Sequence, residues 1–362
     1  MPPKSSQKKN DGIKMKTMFT RKMIRLAAII ALAAFGVAPS ARAQAMQAAP
    51  AAAPAPALLD VQWNPGAEDC KHDTQPALQV HRYDATTYIL RQNLCLSAEG
   101  NFLFLLVGSE KALLIDSGAI ADASQMPVAK TVLDLLPASG AGKLPLLVVH
   151  THGHTDHRDG DAQFAGLANV QVAPFDLDGV KKFFDFSAWP EGLAHIDLGG
   201  RIVDVIPAPG HHRAHVVFYD RNTTLLFTGD FLLNGRLLIE DTAADRASAA
   251  RVIAFVRDQP VAYVLGTHIE KNADGELYTW GVNWHPREHV LQLSKADLLA
   301  LPAALDQFNG FYSPSGQFVM MNQNRVLAAE AVALFAVLVL IIWGIWRFVK
   351  SRRRKKRAAT AI

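Results

Sequence analysis

Thirteen histidines occur in the 362 residues, and four of them crowd into one stretch of eight, HTHGHTDH at 150–157. His152 and His154 stand two apart just after the apolar run Leu144–Val149, where alternate side chains of a strand project to one side. Asp156 and His157 follow on the loop, placed to reach a second point nearby. Three more polar residues stand where a β-rich run stops at a glycine: His211 in APGHHRAH, Asp230 in LFTGDFL and His268 in VLGTHIE. Glycine at such a point lets the backbone turn tightly, so that a side chain can point inward. Neutral imidazole and carboxylate are the ligands that borderline cations such as zinc prefer. No cysteine sits near them at zinc-site spacing, which excludes a closed thiolate site. These five histidines and two aspartates suffice for two metal ions, each with room left for solvent, which is the open arrangement of a catalytic site. Two such ions can share a bridging aspartate.

The elements that must position these residues read as an α/β domain with layered sheets. Residues 86–118 hold three strands, with turn signals at Ala98-Glu99-Gly100 and Gly108-Ser109-Glu110. Ala121–Leu136 carries apolar residues at helical intervals and ends before Pro137. Leu144–Val149 is a continuous apolar strand, buried on both faces by its pattern. Downstream, Val170–Val172, Arg201–Ile206, Ala214–Tyr219, Thr224–Thr228 and Val261–Leu265 read as strands, and Asp178–Phe186 and Thr242–Arg257 as helices.

Both ends stand apart from this body. Arg21, Lys22 and Arg25 precede the apolar run Leu26–Val37 and the small-residue site Ala41-Arg42-Ala43, the layout of a secretory signal peptide over residues 1–43. An Ala/Pro-rich leader (44–60) follows, then the catalytic body (61–310) and a polar juxtamembrane linker (311–325). Residues 326–348 are almost wholly apolar and long enough to cross a bilayer as a helix. The basic tail (349–362) makes the cytoplasm the expected side for the C-terminus. This topology puts the body on the extracytoplasmic, periplasmic side of the cytoplasmic membrane. The ends carry seventeen basic and two acidic residues, so residues 44–325 hold 20 basic against 31 acidic, a net charge of −11. An acidic body repels polyphosphate backbones, which argues against a nucleic-acid partner. Cys70 and Cys95, the two cysteines, are expected to form a disulfide in an oxidising compartment.

THGHTDH resembles the T-H-x-H-x-D-H signature of the metallo-β-lactamase superfamily. The likeness continues in chain order with LLIDSG (113–118), PGH (209–211), FTGD (227–230) and the glycine-led His268. It spans roughly residues 80–294 and implies a four-layer αββα sandwich with the metals at one edge, between the sheets. By position, it implies one metal, zinc foremost with iron or manganese as substitutes, on His152, His154 and His211. A second would sit on Asp156, His157 and His268, with Asp230 bridging. Asp116 matches an early aspartate that orients the ligand loop. His150, His212 and His215 fall outside the motif's ligand positions. Tyr278, Trp280, Trp284, His285 and Glu288 could form a substrate-facing rim or could simply cap the sandwich.

The reaction implied is hydrolysis of a small molecule with a lactone, lactam, ester or thioester bond, with Asp156 both ligand and steering group for the proton of the nucleophile. A true β-lactamase is the leading named alternative. A metal-binding protein without catalysis and a di-iron redox protein are the others.

Overall fold

The computed structural model describes residues 59–140 and 142–360. The expected signal peptide and the leader up to residue 58 lie outside the described residues. Leu59 is already buried and its carbonyl accepts from the Gln292 side chain, so the folded body starts slightly earlier than residue 61.

The first half of the body supplies β1 (Leu78–Arg82), β2 (Thr87–Gln92), β3 (Phe102–Val107) and β4 (Ala112–Ile115), then α1 (Val128–Leu135). A small hairpin, β5 (Ala138–Ser139) and β6 (Gly142–Lys143), leads to β7 (Leu146–Val149), α2 (Thr155–Arg158), β8 (Val170–Val172) and α3 (Leu177–Phe183). The second half runs β9 (Ala194–Asp197), β10 (Ile202–Pro207), β11 (Val216–Asp220), β12 (Leu225–Gly229), β13 (Arg236–Leu238), α4 (Thr242–Val256) and β14 (Tyr263–Gly266). It closes with β15 (Gln292–Leu293), α5 (Lys295–Gln307), β16 (Tyr312–Ser315), β17 (Phe318–Met321) and α6 (Gln323–Thr360).

Two six-stranded sheets result, ordered β1-β2-β3-β4-β7-β8 and β15-β14-β12-β11-β10-β9, both mixed because β4, β7 and β8 run parallel, as do β12 and β14. Alternation along single strands explains the layering. In β3, Phe102, Phe104 and Leu106 enter the core between the sheets, while Leu103 and Leu105 pack outward with Val128 and Val132 of α1. In β12, Leu225 and Phe227 face the same central core, and Leu226 packs with Val252 of α4 and Leu301 of α5. Strands covered on both faces read as unbroken apolar runs. The layers are therefore helix, sheet, sheet, helix, the αββα sandwich.

At one end of the sandwich the sheets are clasped by a buried ion pair. Arg201 donates to both carboxylate oxygens of Asp220 (3.0 and 2.7 Å), and also to Thr86 O, Val107 O and Thr87 Oγ1 of the other sheet. The strands β7, β10, β12 and β14 all point away from this clasp, and their C-terminal ends converge at the opposite edge.

Two expectations need correction, and one helix had not been expected. The helix predicted over 121–136 starts only at Val128, because Asp122 accepts from Ser124 N and Oγ to form a turn, and Pro127 occupies the N-cap. Helix α5 was not marked by the periodicity, since Pro302 interrupts its pattern; a capping box between Ser294 and Asp297 starts it. The segment 311–325 is not a linker. Residues 312–321 form a hairpin whose strand β17 pairs in parallel with β13, and Phe318 and Met320 join the core under α4 and α5. The folded body thus reaches Asn322, and α6 leaves it directly. This helix is long and apolar enough to cross a membrane, and its apolar stretch is unburied.

Candidate metal centre

All seven residues marked by the sequence meet at the edge where those strands end. They fall into two groups whose ligand atoms converge: His152, His154 and His211, and Asp156, His157, Asp230 and His268. His152 and His154 follow β7, and His154 is the N-cap residue of the single-turn helix α2 that carries Asp156 and His157. His211 follows β10, Asp230 follows β12 and His268 follows β14.

Each group is oriented from behind. Backbone carbonyls only accept, so the contacts of His211 Nδ1 to Leu238 O (2.7 Å) and of His268 Nδ1 to Glu99 O (2.8 Å) commit those ring protons. Both Nε2 atoms are left facing the site. Asp116 does the same for His157, 3.0 Å from its Nδ1, and accepts from the Thr151 backbone N–H at 2.7 Å. It is fully buried and holds a left-handed backbone at φ 63°, which aims its carboxylate back under the loop. Bonds of this kind fix ring tautomer and orientation, as they do behind metal-ligating histidines.

The front of the site is poorly satisfied without a cation. In the first group His152 Nε2, His154 Nδ1 and His211 Nε2 lie 2.9–3.1 Å from one another. Burial, then neighbouring His157 and His211, pushes His152 well below the usual imidazole range, and burial takes His211 down to about 4. Three imidazole nitrogens aimed at one point are a ligand set. In the second group burial would push His157 and His268 down, but the carboxylates around them win and raise both. Burial would likewise raise Asp230, yet His268 and His157 hold it well below the carboxylate range. His157 Nε2 lies 3.0 Å from Asp156 Oδ2 and Asp230 Oδ1 lies 3.3 Å from His268 Nε2, so both atoms face other members of the set. This group calls for positive charge. Asp230 stands between the two, its Oδ2 3.6 Å from His211 Nε2 and 3.5 Å from His157 Nε2. The donor set fits transition-metal cations.

The three histidines outside the motif's ligand positions surround the cluster. His150 Nε2 lies 2.9 Å from Asp161, which also accepts from Ser117 and so pins the loop. His212 Nδ1 accepts from Ala214 N, and burial followed by His154 takes it down to about 4. His215 is fully buried and stacks on His152 at 5.0 Å.

Of the five rim residues, His285 and Glu288 are internal. Glu288 is clamped by both terminal nitrogens of buried Arg91 and lies 2.9 Å from His285 Nδ1, and Tyr278 stacks flat on the His285 ring at 4.2 Å. Trp280 and Trp284 are the exposed members, on the walls of two adjoining cavities that share Tyr278, Thr279 and Gly281. The inner cavity reaches Glu99 and Glu270. One residue escaped the sequence reading: Asn101, fully buried at the start of β3, donates to Asp156 Oδ2 at 3.2 Å. A buried amide opening an apolar strand was its one signal.

The family model of the metallo-beta-lactamase superfamily matches residues 99–268, which spans Asn101 to His268 and so takes in every one of these site residues. Residues 99–268 form a metallo-beta-lactamase superfamily domain. The chain is similar to an acyl-coenzyme A thioesterase (MBLAC2) of Gallus gallus, with 26% identity over 50% of this chain and 77% of that one. It is similar to the hydroxyacylglutathione hydrolase of Dechloromonas aromatica at 29% identity, over 56% of this chain and 70% of that one. Among solved structures, a metallo-beta-lactamase from Pontibacter korlensis matches at 16% identity with a TM-score of 0.43, covering 64% of this chain and all of that one. The matched residues are thus part of a folded body that runs from Leu59 to Asn322 and is followed by α6.

Proposed function

We propose that the chain is a metal-dependent hydrolase of a small thioester, working with two zinc ions at the outer surface of the cytoplasmic membrane. The observation that carries this reading is Asp230, whose carboxylate stands between the three-histidine group and the side chains of Asp156, His157 and His268, as a carboxylate shared by two cations would. His152, His154 and His211 would hold one ion, Asp156, His157 and His268 the other. Bound there, the ions would supply Lewis acidity for the carbonyl and make water a nucleophile near neutral pH.

The chain's own residues do the rest. Glu99 O, Leu238 O and Asp116 hold the imidazoles in one tautomer. Burial would raise the Asp156 carboxyl, but His157 and His268 hold it well below the usual carboxylate range, so it stays ionised and available as a ligand throughout the neutral range. Trp280 and Trp284 stand on the walls of two adjoining cavities, the inner of which is lined by Glu99, whose carbonyl accepts from His268. A thioester goes ahead of a lactam or lactone because the two named relatives are both thioester hydrolases. The bond between Cys70 and Cys95 supports an oxidising, extracytoplasmic setting.

The test is a panel of thioesters, lactones and β-lactams assayed with the zinc-loaded full chain and its Asp156→Ala variant. Thioester turnover should lead the panel, and the variant should lose it by about a thousandfold or more while circular dichroism stays unchanged. A variant that keeps the parental rate removes Asp156 from the chemistry, and lactam turnover without thioester turnover replaces the substrate class.

A further inference from the structure

The membrane-spanning candidate is attached to the metal centre by a short and stiff path. His211 Nδ1 donates to Leu238 O at 2.7 Å, Leu238 in β13 is registered opposite Met321 in β17, and α6 starts two residues later. One strand spacing of ~4.8 Å and two residues at ~3.8 Å each keep the metal-facing atom of His211 within about 20 Å of the helix start. The foot of the helix is itself anchored. Asn322 N donates to Phe311 O, Asn322 Nδ2 to Glu240 O, and the Arg325 guanidinium to Gly310 O. These contacts tie the start of the helix to the body.

Around that foot stand two aromatic side chains left in the open, Phe311 at 48% and Tyr312 at 47% exposure. A hydrocarbon core takes about 20 helical residues, so counting back from Arg347, where the basic run begins, places its outer edge at Leu327. Asn322 then lies about 7 Å further out, at a rise of ~1.5 Å per residue. The polar interfacial zone is about 5–7 Å deep on each side. Residues level with Asn322 therefore stand at the outer limit of the headgroup zone, in which aromatic side chains are enriched. Glu240 brings an exposed acid to the ring and Arg325 a base, which leaves docking to the aromatics rather than to net charge.

We propose that the face bearing Phe311, Tyr312 and Arg325 rests on the headgroups of the membrane that α6 crosses, and so holds the metal centre at the lipid surface. This rests on the reading of α6 as a membrane span. The site then meets substrates gathered at a bilayer, and amphiphiles above all.

The experiment separates the two claims. Phe311→Cys, Tyr312→Cys, Leu167→Cys and Leu340→Cys versions of the full chain are labelled with a bimane dye, which is specific because the two native cysteines are bonded together. Each is reconstituted into phosphatidylcholine and phosphatidylglycerol vesicles containing nitroxide lipids. Strong quenching at 311, 312 and 340, with little at the exposed body residue 167, is expected. Quenching at 340 alone would overturn the docking face and leave the span intact. No quenching at 340 would overturn the span, and the proposal with it.

Discussion

At the scale of single residues, the site is organised by where its ring protons go. His211 and His268 spend one nitrogen on a backbone carbonyl and His157 spends one on Asp116, and each presents the other nitrogen to the site. Motif spacing carries the ligand types but not these partners. Leu238 O and Glu99 O are backbone atoms, and any residue supplies a carbonyl, so no side-chain pattern marks them. A second buried group lies just behind the His211 loop. Asp245 of α4 packs against Gly210, and burial, with Asp241 nearby, pushes its carboxyl up to about 8. Such a carboxyl stays protonated in the folded chain and ionises near pH 4 once unfolded. Its contribution is therefore fully present below about pH 4 and is lost as pH rises through about 8. Asp245→Asn should match the parent near pH 4 and melt a few degrees higher at pH 8.5, as thermal denaturation across that range will show. A constant offset at all pH values would mean that Asp245 does not titrate as described.

At the scale of elements, the strands that end at the site were legible because each couples an apolar run to a glycine and then a polar residue. Strands β7, β8, β10, β11, β12 and β14 lie within about two residues of their expected limits. The miss at 311–325 has a physical cause. Residues 309–324 are polar and turn-rich, and the hairpin there pairs through β17 with β13, whose partner residues lie 83 positions earlier in the chain. Long-range pairing leaves little trace in local composition. The clasp at the far end of the sheets was equally invisible, as Arg201 acts on residues from three other strands and their flanks. Removing one partner of a buried, hydrogen-bonded ion pair leaves the other charge uncompensated. Arg201→Met should cost about 3–5 kcal/mol in urea unfolding and leave the metal content of the folded protein unchanged. A loss under 1 kcal/mol would show that the sheets are held together without the clasp.

At the scale of the whole molecule, a superfamily domain is joined to a helix fit to cross a membrane, through a hairpin that belongs to the domain's own core. The basic run after Trp346 predicts that this helix leaves its tail in the cytoplasm and the metal centre outside. Cysteines placed at Leu167 and Arg352 report this directly. A membrane-impermeant thiol reagent should label position 167 on intact spheroplasts and reach position 352 only after permeabilisation. The reverse pattern would place the body in the cytoplasm. The central claim is that thioester hydrolysis at this site depends on metal. Its most direct test is the metal content of the purified full chain by mass spectrometry, followed by thioester turnover before chelation, after it and after zinc is returned. Close to two equivalents of metal, with turnover lost on chelation and restored by zinc, is the predicted result. Turnover that survives complete removal of metal would contradict it.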